Sequence, residues 1–103
     1  MNGLTEVKRV VDTIAGLFTP EKIILYAKKI NFETDDIKSF SICVILQTEN
    51  TQKAEQFIYL NVDSEIPFDV LVYTPEEWER LVSNKYSFVH NTVQKGNVLY
   101  EKR

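Results

Sequence analysis

Few side chains in this sequence are spaced for chemistry, and each set also has a plain structural role open to it. Ser39 and Ser41 stand two residues apart in an apolar run. On a strand their hydroxyls share one face, where they either hydrogen-bond a ligand or fill a half-exposed sheet surface. Asp69 lies in another apolar run; it is either a ligand at the edge of a cleft or a carboxylate reaching solvent. Asp35 and Asp36 form an acidic pair just before the first run. With Asp69 they are candidate oxygen ligands for a hard cation, but a loop pair lacks the fixed geometry of a strand pleat. Lys28, Lys29 and Lys38 flank the same loop and offer either a small anion site or solvated surface. The single histidine, His90, falls in a segment read as helical, with no serine, cysteine or aspartate arranged around it, so packing is its expected role. The single cysteine, Cys43, is inside an apolar run and has no cysteine partner for a disulfide or a thiolate metal site; a reduced, buried thiol is expected.

Charge and size narrow the classes. With 103 residues the chain suffices for one domain and buries only a modest core, which makes an oligomer or a partner chain natural. Its net charge is −3, and the 12 basic residues are spread along the chain. An extended nucleic-acid surface needs a concentrated positive footprint, so none is expected, whereas a small nucleotide is compatible. The start of the chain shows no signal-peptide pattern and no apolar run approaches membrane-spanning length, so a cytoplasmic protein with no membrane contact is expected.

The elements that would position these side chains follow from hydrophobic periodicity. Leu4, Val7, Val10, Val11, Ile14, Leu17 and Phe18 make one apolar helical stripe, which Thr19-Pro20 ends. Residues 22–27 read as a short buried strand and 31–37 as a polar loop. Over 39–46, Phe40, Ile42, Val44 and Leu46 alternate with Ser39, Ser41, Cys43 and Ile45, the pattern of a strand. Residues 49–60 predict a helix with Ala54, Phe57 and Ile58 inward; 67–73 predict a third strand, with Asp69, Leu71 and Tyr73 on one face. Thr74-Pro75-Glu76-Glu77 is a strong helix start: a capping threonine, a proline at the first position and an acid for a capping box. A last helix is expected over 86–95, stopped by Gly96 in a left-handed conformation, before the apolar finish of Val98, Leu99 and Tyr100. Trp78, Phe57, Phe88 and Tyr100 are read as core. The fold class is α/β (α+β): a small mixed β-sheet with helices packed on it.

Three segments and the ending carry a resemblance over residues 22–101. Ile23-Ile24-Leu25-Tyr26-Ala27-Lys28 is similar to a strand that ends in Phe-Gly-Ser. Lys38-Ser39-Phe40-Ser41-Ile42-Cys43-Val44 falls where Ser-Asp-x-Asp and its strand would stand. Ile66-Pro67-Phe68-Asp69-Val70-Leu71-Val72-Tyr73-Thr74-Pro75-Glu76-Glu77 resembles a third aspartate strand with its following helix, and Gly96-Asn97-Val98-Leu99-Tyr100-Glu101 resembles the ending. Together they resemble a small nucleotidyltransferase domain of the DNA polymerase β superfamily.

That resemblance implies two Mg²⁺ ions clamping a triphosphate and activating an attacking hydroxyl. It also implies a ligand site at Ala27, Lys28, Ser39, Ser41 and Asp69. The departures fall on that site. The family's Gly-Ser is Ala27-Lys28, its paired aspartates are Ser39 and Ser41, and only the third acid is retained, as Asp69. Hydroxyls are poor substitutes for carboxylates on Mg²⁺, and one acid cannot balance two divalent ions. A degenerate, non-catalytic binding or regulatory module without a cofactor is therefore expected. The resemblance further implies a protein partner, such as the helical HEPN-type partner of toxin–antitoxin pairs, or a homo-oligomer. The competing expectations are an active nucleotidyltransferase that holds Mg²⁺ through Asp69 with non-standard ligands, and a homodimeric interaction domain with no ligand.

Overall fold

The structure, a computed structural model, describes residues 3–103. Helix α1 (Leu4–Phe18) buries Val7, Val10, Val11 and Ile14, the centre of the expected stripe; Leu4 and Leu17, at its ends, stay about half exposed. Gly3 precedes the helix at φ 107°, and a Cβ there would stand 3.0 Å from Ile37 Cβ and Ile66 Cδ1, so glycine is required twice over. Thr19 ends the helix in the left-handed region and donates its amide to Ala15.

Strand β1 (Lys22–Ile30) continues three residues past the expected end, because Lys28, Lys29 and Ile30 pair with β2 (Ile37–Ile45). The polar residues between them form a tight turn. Asn31 exchanges backbone bonds with Asp35 and Asp36, its side chain accepts the Glu33 amide at 2.9 Å, and Asp35 takes φ 61°. Helix α2 (Thr51–Asn61) starts two residues later than expected, since the Asn50 side chain caps it through the Lys53 amide. Ala54 and Ile58 point into the core. Phe57, expected there too, is 45% exposed, set edge-on against Phe18 at 5.5 Å.

Strand β3 (Phe68–Tyr73) runs parallel to β2, and α3 (Pro75–Val82) follows with the expected capping box. Thr74 Oγ1 accepts the Glu77 amide, and the Glu77 carboxylate accepts the Thr74 amide at 3.0 Å. The single helix expected over 86–95 is instead two short pieces, α4 (Phe88–Asn91) and a 3₁₀ turn (Val93–Lys95). Two features divide it. Ser87 caps α4 through the His90 amide, leaving Tyr86 in the preceding turn, and Thr92 leaves helical geometry at φ −130°. Gly96 is extended (φ −74°, ψ −177°) and not left-handed. Its glycine requirement is steric: a Cβ there would run into the Leu25 carbonyl and stand 2.8 Å from Tyr26 Cα. The apolar finish is β4 (Asn97–Glu101), antiparallel to β1.

The four strands lie in the order β3-β2-β1-β4, a mixed sheet with helices packed on it as the element order predicts, here on both faces. On one face α1 and α2 enclose Ile23, Leu25, Phe40, Ile42, Val44, Val70 and Val72. On the other, Ile24, Cys43 and Ile45 meet Val89 and Val93, with Trp78, Leu81 and Val82 of α3 packed against them. Among the described residues no helix is long and apolar enough to cross a membrane.

Candidate functional site

Register decides which candidate residues meet. Ser41 of β2 is opposite Ala27 of β1 and beside Asp69 of β3, so three strands contribute one row across the sheet. Directly paired residues share a face, and neighbouring strands are about 4.8 Å apart. Ser41 therefore stands at one strand spacing from both neighbours. Ser39, two residues before Ser41, lies on the same face opposite Lys29. This is the face of Cys43 and Tyr73, which α3 and α4 cover toward the other end of the strands. Ser39 and Ser41 are partly exposed, and Asp69 and Ala27 are exposed.

A bulge in β1 shapes the row. Leu25 pairs with Ile42 and Ala27 with Ser41, which leaves Tyr26 as the extra residue. Such an insertion bends the strand and re-aims a side chain. The Tyr26 phenol stands near the Ser41 hydroxyl and within the field of Asp69. Its ring meets Phe88 of α4 edge-on at 5.8 Å. Burial holds that phenol above its ordinary pKa range, the Ser41 hydroxyl opposes the shift, and the negative charge of Asp69 adds to it. Tyr73, paired with Ile45 further along, is raised chiefly by burial as well.

The same bulge moves Lys28 off the site. Strict alternation would carry Lys28 to the face of Tyr26. With one residue inserted, Lys28 pairs with Phe40, a residue of the α1/α2 face, and Lys29 takes the place opposite Ser39. Lys28 also lines a shallow hollow of about 300 Å³ with Tyr26, Ala27, Lys95 and Gly96. It lies along the part of β1 that β4, paired only with Lys22 through Leu25, does not reach. Of the five residues implied as a ligand site, the register thus brings Ala27, Ser39, Ser41 and Asp69 to one face and pairs Lys28 with the other, so that it meets the row only through the hollow it shares with Tyr26 and Ala27. Tyr26 joins them. It was legible only as a buried strand aromatic, because a bulge leaves no mark in hydrophobic alternation.

The donor set does not fit the two-metal centre that the resemblance implies. Asp69 is the only carboxylate of the row; its neighbours are a serine hydroxyl, a phenol and an alanine methyl. Hard divalent ions take several charged oxygens. Asp35 and Asp36 belong to the β1–β2 turn, and no three His, Cys, Asp or Glu of the described residues gather where they could hold a metal ion. What the row can do is hydrogen-bond.

Two further candidates have structural roles. His90 Nδ1 lies 2.7 Å from the Val82 carbonyl, tying α4 to the end of α3. Cys43 is buried, and desolvation pushes its thiol up to about 12, so it carries no thiolate at neutral pH. Comparison with protein-family models, with curated proteins and with solved structures finds no match to this chain.

Proposed function

We propose that this chain is a nucleotidyltransferase-like binding module that works without two-metal nucleotidyl transfer. One observation carries the reading: Ser41 lies between Ala27 and Asp69 in a single cross-strand row. A strand serine beside a strand aspartate, on a face shared with Ser39, is the arrangement that the resemblance leads one to expect, with the charge removed. The row offers hydroxyls and one carboxylate to a polar ligand such as a nucleoside, and too little negative charge for Mg²⁺. A helical protein partner fits a regulatory role of this kind and rests on the resemblance alone.

Thermal unfolding with ATP, GTP, CTP and UTP, each with and without Mg²⁺, tests the reading. A ligand at a hundred times its dissociation constant adds about 2.7 kcal/mol of stability, a readily visible shift. The expected result is a shift that does not need Mg²⁺ and is lost in Ser41→Ala. A shift that requires Mg²⁺, or nucleotidyl transfer by the purified chain, would overturn it. No shift with any nucleotide would remove the ligand and leave a protein-interaction role.

A further inference from the structure

Phe88, expected in the core, is 53% exposed at the start of α4. The backbone beneath it is tied down. Ser87 Oγ accepts the His90 amide at 3.0 Å and donates to the Leu81 carbonyl. Asn91 Nδ2 donates to the carbonyls of Lys85 at 2.8 Å and Ser87 at 2.9 Å. Val89, the next residue, is buried in the cluster of Ile24, Cys43 and Ile45. An aromatic side chain on a fixed backbone is a preformed surface, because little further ordering is needed when a ligand arrives.

The ring borders the row through one shared neighbour. Phe88 meets Tyr26 edge-on, with centroids 5.8 Å apart and planes at 85°. Tyr26 is the bulged residue whose phenol stands near the Ser41 hydroxyl and within the field of Asp69. An edge-on pair covers only part of each ring, and among the described residues no second ring lies against Phe88. Tyr86, two residues earlier and 84% exposed, differs: Lys85 Nζ already lies over its ring at 5.3 Å. Ser39, Ser41 and Asp69 can recognise hydroxyls and amino groups but offer nothing to a planar ring.

We propose that Phe88 is the ring-binding residue of this site and receives the base of a nucleoside whose sugar hydroxyls meet Ser41 and Asp69. This rests on the binding reading above and narrows it from a polar ligand to a nucleoside. The Asp69 carboxylate accepts from ribose hydroxyls and repels phosphate, so the row favours the sugar over the triphosphate. Stacking on an aromatic side chain is worth about tenfold in affinity or more for one base, and it tolerates every base because each has a π-face. Adenosine should therefore suffice for binding, whereas ribose 5-phosphate and tripolyphosphate should not.

Titration calorimetry and proton NMR of the full chain with these three compounds are the test. Adenosine should bind, with its base protons moved upfield by the ring current of Phe88. Phe88→Leu keeps the apolar bulk without a π-face; it should weaken adenosine about tenfold and remove the upfield shift, while Phe88→Tyr keeps both. Circular dichroism melts check that the variants fold. Adenosine binding that is lost in Ser41→Ala but unchanged in Phe88→Leu would overturn the role of Phe88 and leave the binding reading standing. Bound adenosine whose base protons do not move upfield in the native chain would do the same, without recourse to any variant. Tripolyphosphate binding as tightly as adenosine would place the affinity on phosphate and overturn the choice of a nucleoside. A native chain that binds no nucleoside or nucleotide would overturn both readings together.

Discussion

Replacing Ser41 by aspartate puts a second carboxylate directly beside Asp69, because the two positions are paired in the parallel β2–β3 ladder and share a face. The separation is about one strand spacing, roughly 5 Å. Two unit charges at that distance repel by about 2–3 kcal/mol for an effective dielectric of 20–40. Ser41→Asp should therefore unfold at distinctly lower temperature than the native chain in EDTA, and millimolar Mg²⁺ should recover much of the loss by bridging the carboxylates. The native chain, with Asp69 as the row's only acid, should show no Mg²⁺ response. Differential scanning calorimetry with EDTA or MgCl₂ reads both effects. A variant as stable as the native chain would mean that the two side chains do not face one another. A loss that Mg²⁺ leaves untouched would mean that the row cannot gather a cation even with two carboxylates, and the proposed nucleotidyltransferase-like reading would fail.

Three other perturbations have defined outcomes. The Arg9 guanidinium, hydrogen-bonded at 2.7 Å, and the Glu65 amide hold the Glu6 carboxyl down at about 2. A carboxyl depressed on folding contributes stability above its ordinary value near 4.5 and loses it as pH falls toward 2; urea titrations across that window should slope less steeply for Glu6→Gln. Thr74→Ala removes one half of the capping box and should cost about 1 kcal/mol in chemical denaturation. Gly96→Ala forces a methyl against the Leu25 carbonyl and Tyr26 Cα, backbone atoms that cannot swing aside. It should therefore lower the midpoint of denaturation by more than an alanine at Gly16, where a Cβ meets nothing within 4 Å.

Much of the scaffold was legible in the chain because it is set by local preference. The stripe of α1, the alternation of β2 and β3 and the Thr74-Pro75-Glu76-Glu77 start are short-range patterns, and the structure carries all three. The failures are equally local in position and non-local in cause. The expected helix over 86–95 breaks because Ser87 finds the His90 amide and Val93 is drawn into the core under the sheet. Phe57 has the spacing of an inward residue, yet it rests on the rim against Phe18. Gly96 was expected to be special, and it is, but through its nearness to β1 and not through its own dihedral angles.

The identity of the candidate row shows where residues alone stop. That Ser39 and Ser41 share a face follows from the two-residue period of a strand, and that they carry no charge follows from their side chains; both hold before any fold is known. Whether Asp69 lies beside Ser41 depends on β2 and β3 running parallel and in one register, across a connection that includes α2. Whether Lys28 or Lys29 faces the serines depends on a single extra residue at Tyr26. Hydrophobic alternation fixes faces one strand at a time, while register and bulges are settled only when strands pair and the layers above and below them pack. The sequence by itself thus determined most of the elements, most of their buried faces and the neutrality of Ser39 and Ser41. The tertiary structure decided which hydroxyls, rings and carboxylate stand together.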